Sequence, residues 1–259
     1  MTRRAVWAFL CSFIFLAACG SRASPSEKLS KTQLFSGPIS RESVNSLIND
    51  WPSGARRLVI TSQGGDINAG IALGRFLIAR QVEVMVRDYC LSACAHFVFA
   101  PASRKLVEKH ALVGFHGTAT ARELLLANSG RPELAKKYAL LAEQEQRFYD
   151  DVGISRSLLI RPLRKVLPIC YFSKESGWAL IATRVNFFIP SRKSLIAQNV
   201  RNIAGYWPQS QDDIAGIANR IPQTVNATLR FEGLGEIGQD VEPRGVSVCP
   251  STFIRAHGL

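Results

Sequence analysis

Acidic residues are scarce: 20 Asp and Glu stand against 32 Lys and Arg in 259 residues, and none occurs before Glu27. The formal charge is +12, and +10 without residues 1 to 18, which hold two arginines and no acid. Such a surface favours anionic partners such as lipid headgroups or acidic envelope polymers. It is not laid out for nucleic acid, because the basic residues are scattered rather than interleaved with aromatics. Internal repeats and low-complexity tracts are also missing, and without a phosphate-binding loop no ATPase coupling is expected. Cys90-x3-Cys94 lacks the matching His or Cys pair of a zinc site, and no metal or cofactor is expected. Long apolar runs are confined to the first twenty residues.

That first stretch has the parts of an export signal: Arg3 and Arg4, an apolar Ala5 to Leu16, then Leu16-Ala17-Ala18-Cys19. It resembles the leader of bacterial lipoprotein precursors, which implies residues 1–18 as signal peptide, lipidation of Cys19 and residues 19–31 as a tether. The alternatives are a plain signal peptide cut near Ala18, giving soluble export, or an uncleaved anchor. Beyond Cys19 an exported chain keeps Cys90, Cys94, Cys170 and Cys249, an even number that suits an oxidising compartment. Three pairings are open. A Cys90–Cys94 bridge would clamp the turn between them.

The remaining length, in a chain 47% hydrophobic and 20% charged, suits one α/β domain with an appendage. Thr32 to Ser36 reads as a strand, and Ser40 caps a helix carrying Val44, Leu47 and Ile48 on one face. Three units then follow. Arg57 to Thr61 is a strand running into Gly64-Gly65 and an amphipathic helix from Ile67; Val82 to Val86 is a strand leading to Ser92 and an apolar helix from Ala93 to Ala100; Ala111 to His116 is a short buried strand. Repeated βαβ order predicts a mostly parallel sheet wrapped by helices, with chemistry at the carboxyl ends of its strands.

These residues resemble the core of the Clp protease proteolytic subunit and its crotonase-like relatives, in which a Ser-Pro-Gly-Gly turn precedes the nucleophile and a histidine follows it. Here Gly64, Ser92 and His116 keep that order and nearly the family's spacing, while Gln63 stands where the family has proline. The resemblance covers residues 35–117 well and fades in the C-terminal quarter. It implies a ClpP/crotonase-like domain over residues 32–190 with an irregular extension over 191–259. It also implies Ser92 as nucleophile, His116 as base, and main-chain N–H groups of Gly64, Gly65 and Ala93 around an oxyanion. Clp-type proteins form rings, so a homo-oligomer is implied as well.

The family's aspartate would fall near Lys165 to Cys170, which contains no acid. Asp151 is the candidate in its place, with Asp150 and Glu175 as neighbours; their ordinary role is a solvated helix end or first-turn charge. A Ser-Lys dyad would call on Lys136 or Lys137, both on a polar helix face. Ser92 as a plain helix cap and His116 as a strand-end histidine bonded to a carbonyl are the bland readings. His96 reads as a satisfied, half-buried side chain, His110 as part of a charged turn and His257 as part of an untethered end.

Further along, Thr118 to Asn128 and Arg131 to Asp151 read as helices. Ile154 to Val166 reads as a basic helix broken at Pro162, and Phe172 to Ser176 as a helical turn. Arg184 to Ile189 and Thr228 to Phe231 read as strands, and Ser210 to Arg220 as a helix. Asn226-Ala227-Thr228 matches a glycosylation sequon by chance. The reading that results is an exported serine hydrolase cleaving peptides or proteins, anchored to a membrane through Cys19. The alternative is an inactive lipoprotein of the same fold that binds envelope components.

Overall fold

In the computed structural model, the described residues are 31–128, 132–162, 168–173, 177–183, 187–222, 229–232 and 247–248. Residues 1–18, read above as a leader, Cys19, residues 20–30 of the expected tether, Glu175, the sequon and His257 lie outside them.

Strand β1 (Thr32–Ser36) pairs in parallel with β2 (Arg57–Ser62), β2 with β3 (Glu83–Leu91), and β3 with β4 (Arg104–Val107). Leu58, Val59 and Ile60 are all buried, as in a strand covered on both faces. The connections are helices. α1 (Arg41–Asn49) starts at a reciprocal cap in which Ser40 and Ser43 each bond the other's backbone N–H. α2 (Ile67–Ala79) starts at Asp66, whose carboxylate accepts from Ala69 N–H at 2.7 Å. The architecture is therefore an α/β fold with a mostly parallel sheet and flanking helices, as the βαβ order predicts.

β3 is longer than the run Val82 to Val86 implies. Its first half pairs with β4, and its second half, Tyr89 to Leu91, pairs with β5 (Leu112–Gly114). Two strands share one side of β3, so the end of β5 lies beside the end of β3. Between them the chain turns through a π-helical segment, Cys94–Phe99, rather than a regular α-helix. α3 (Ala119–Asn128) and α4 (Pro132–Asp151) follow, then a short α5 (Ser157–Ile160) ahead of Pro162; residues 163–166 of the expected helix lie outside the described residues.

The expected helical turn from Phe172 meets a strand instead. β6 (Pro168–Ser173) and β7 (Gly177–Thr183) form an antiparallel hairpin, consistent with the β-branched and aromatic run Ile-Cys-Tyr-Phe. β8 (Phe187–Ile189), α6 (Arg192–Ala197), β9 (Ile203–Gly205), α7 (Gln211–Ala218), β10 (Leu229–Phe231) and β11 (Ser247–Val248) complete the described elements. β9 pairs with β4, so residues beyond 190 supply a sheet strand, and β10 pairs with β8. Beside β9, the buried ammonium of Lys105 donates to the carbonyls of Ala102 and of Arg201, the latter at 2.7 Å. Burial lowers its pKa to about 8.

α2 packs against the π-helical segment through Gly70 and Gly74. A Cβ at Gly74 would lie 2.0 Å from the Phe97 carbonyl oxygen, whereas Gly216 in α7 has open space around it. Gly74→Ala is expected to cost about 2 kcal/mol or more in urea unfolding. Gly216→Ala should be neutral or add up to about 1 kcal/mol. Equal effects would mean that α2 does not approach this closely.

Candidate active site

Strand β3 ends at Leu91, and the next residue carries a backbone angle that serine seldom adopts. Ser92 has φ +55°. This left-handed conformation costs a non-glycine residue about 1–2 kcal/mol. Its N–H donates to Gly114 O and its carbonyl accepts from His96 N–H, both at 3.0 Å. A Cys90–Cys94 disulfide closes the turn, as one of the three pairings allowed. Gly64 makes room for it: a Cβ there would sit 2.5 Å from Leu91 O and 2.6 Å from the Ser92 Cβ.

His116 follows β5, held by mutual bonds between Phe115 and Phe188, and its Nε2 lies 2.5 Å from Ser92 Oγ. The structure thus brings together the serine and histidine singled out by sequence. The glycine pair divides its labour. Gly64 N–H donates to Ser62 Oγ at 3.1 Å, so that donor is occupied. Ile39 N–H bonds Gly64 O and Asp66 N–H bonds Ile39 O, both at 2.8 Å. This parallel bridge turns the Gly65 N–H away from Ile39. The N–H groups of Gly65 and Ala93 have no hydrogen-bond partner among the described residues. Both residues line a cavity of about 170 Å³ shared with Ser92 and His116, walled by Ile67, Phe97 and Leu141 and by Arg122, Tyr138 and Glu145.

The electrostatics keep the imidazole in this cavity neutral. Burial, then the positive charge of Arg122, lowers the His116 pKa to about 4. Glu145, fully buried, is pushed up by desolvation and pulled back by its bonds to the Thr120 hydroxyl and to the N–H groups of Thr120 and Ala119. It thereby caps the start of α3, immediately after His116.

Asp151 does not join the pair. Its carboxylate meets Arg75 at 3.1 Å on the surface, and Asp150 pairs with Arg156. Among the described residues no side chain bonds His116 Nδ1. Lys136 and Lys137 are exposed, the former paired with Glu133. His110 is exposed and lies in a turn, as expected of the charged segment. His96 is satisfied, as expected, but fully rather than half buried; Tyr149 and Glu145, its neighbours in the polar interior, were not signalled by any motif.

The chain thus defines an α/β protein with a serine–histidine pair at adjacent strand ends. No family model matches it, and no curated protein matches it. Among solved structures it is similar to a ClpP1 mutant from Listeria monocytogenes, at 18% identity over 49% of this chain and 75% of that chain, with a TM-score of 0.36.

The two buried rings set a pH dependence. His116 and His96 have folded pKa values of about 4 and about 3, both below the ordinary 6.5. The unfolded chain therefore takes up protons that the folded chain refuses. Their contribution to stability is complete above about pH 6.5 and falls as pH drops toward the folded values, by up to about 1.4 kcal/mol per pH unit for each ring. Denaturant unfolding between pH 7 and 4 should show this decline, with a shallower slope in His116→Ala. A flat profile from pH 6.5 to 5 would place both rings in solvent.

Proposed function

We propose that this protein is an exported serine hydrolase that cleaves peptide or protein substrates through an acyl-enzyme. The observation that carries the reading is the 2.5 Å approach of Ser92 Oγ to a neutral His116 Nε2 at a left-handed strand-to-helix turn. Ser92 Oγ attacks the scissile carbonyl while Nε2 takes its proton, and the oxyanion receives the N–H groups of Gly65 and Ala93. The C–N bond then breaks as Nε2 returns the proton to the leaving amine. Water, deprotonated by the same nitrogen, releases the acid and frees the serine. The small cavity beside Ser92 suits one side chain of modest size. Residues 1–18, read as a leader ahead of Cys19, support export with lipid anchoring, and the Cys90–Cys94 bridge suits an oxidising compartment; a homo-oligomer rests on the family resemblance alone.

A second reading, an inactive binding module, is favoured by the missing carboxylate on His116 Nδ1 among the described residues. Treatment of the oxidised mature protein with a fluorophosphonate probe separates the two. Labelling is expected at Ser92, absent in Ser92→Ala and slowed by about 100-fold or more in His116→Ala. A folded wild type that does not label supports the binding module.

A further inference from the structure

His96 lies one helical turn after Ser92 and is 1% exposed. A buried imidazole needs partners for both nitrogens, and it has them. Nε2 is 2.9 Å from the His116 carbonyl oxygen, and Nδ1 is 2.9 Å from the Tyr149 hydroxyl. A carbonyl only accepts, so Nε2 carries the hydrogen; Nδ1 is then the acceptor and the Tyr149 O–H donates. Burial, the largest influence on this ring, keeps it neutral. The same residue's main-chain N–H holds the Ser92 carbonyl at 3.0 Å. One residue therefore grips both members of the pair, Ser92 through its backbone and His116 through its ring.

We propose that His96, its Nε2–H tautomer set by the His116 carbonyl and its ring held from the other side by the Tyr149 hydroxyl, is the positioning residue of the Ser92–His116 pair, holding His116 by its main-chain carbonyl where a triad would hold it by a carboxylate on the ring. The proposal rests on the hydrolase reading given above. Its physical content is that the Oγ–Nε2 separation depends on a bond at the backbone of the base. If that bond is lost, the peptide after His116 can rotate and the imidazole can relax toward solvent. The titratable and charged groups that line the cavity with His116 are Arg122 from α3, Tyr138 and Glu145 from α4, and His96 itself, while Tyr149 of α4 bonds His96. Arg122 and Glu145 are left unchanged in the test.

Three variants of the full mature chain isolate the bond. His96→Leu fills the site without a donor, His96→Gln offers an amide N–H to the same carbonyl, and Tyr149→Phe keeps the ring but removes the hydroxyl. Two quantities are read: the rate of fluorophosphonate labelling against pH, and the titration of the His116 ring by 15N-edited NMR. In His96→Leu, labelling should fall about 10- to 100-fold, the loss expected for a displaced catalytic group. The His116 titration should rise from about 4 toward 6.5 as the ring gains solvent. His96→Gln should recover labelling to within about threefold of wild type, a recovery that packing alone would not give. Tyr149→Phe should move both readouts in the direction of the leucine variant, and it carries the test if that variant does not fold.

A folded His96→Leu with wild-type labelling and an unchanged His116 titration overturns the proposal. So does a folded Tyr149→Phe without effect when the leucine variant is unfolded. If wild type itself does not label, the hydrolase reading fails, but the ring titration still decides: an upward move in His96→Leu supports the positioning role, and no move refutes it.

Discussion

The bond from Ser92 N–H to Gly114 O joins the end of β3 to the end of β5, and the rest of the site hangs on it. It exists because β4 pairs with only the first half of β3, leaving the second half to β5. Without that division the histidine after β5 would stand one strand further from the serine. The left-handed backbone at Ser92 is unfavourable alone and is offset by this bond, by the Cys90–Cys94 link and by the close seat that Gly64 provides. Strain at the site is thus confined to one residue, in a turn tied down on several sides.

Most of the buried polar groups among the described residues gather behind the pair. His96, Tyr149, Glu145, Thr118 and Thr120 are all buried and all bonded. Leaving any one unpaired would cost about 1–3 kcal/mol, so each constrains its neighbours' orientation. The segment after His116 is fastened in sequence: the carbonyl of His116 by His96, the Thr118 hydroxyl to Leu159 O, and the N–H groups of Ala119 and Thr120 by Glu145. A neutral imidazole beside Ser92 follows from this burial and from the charge of Arg122.

Local signals were legible where one element carried its own pattern. Thr32–Ser36, the Ser40 cap and the helices on either side of residue 130 coincide with their sequence readings to within a residue or two. β4 was not legible, because Arg104 and Lys105 interrupt its apolar character and its burial comes from β9, far away in sequence. The spacing of Gly64, Ser92 and His116 placed the pair, yet which glycine keeps a free N–H depends on Ser62 and Ile39, neither marked by a motif. Asp151 misled for a simple reason: position along the chain says nothing of which face of α4 a residue occupies, and Asp151 meets Arg75. His96 was visible as an imidazole in an apolar run, but its partners come from the end of β5 and from α4.

Lys105 carries a further meaning for how the chain assembles. Its ammonium needs the Arg201 carbonyl, and its strand needs β9, so the sheet's far side stays open until chain beyond residue 205 has emerged. A nascent chain ending shorter would leave the Lys105 ammonium hydrated, with its burial and one of its two carbonyl partners still to come. The closing contacts are thus long-range, which slows the final step of folding and leaves a transient β4 edge exposed to other strands until β9 docks.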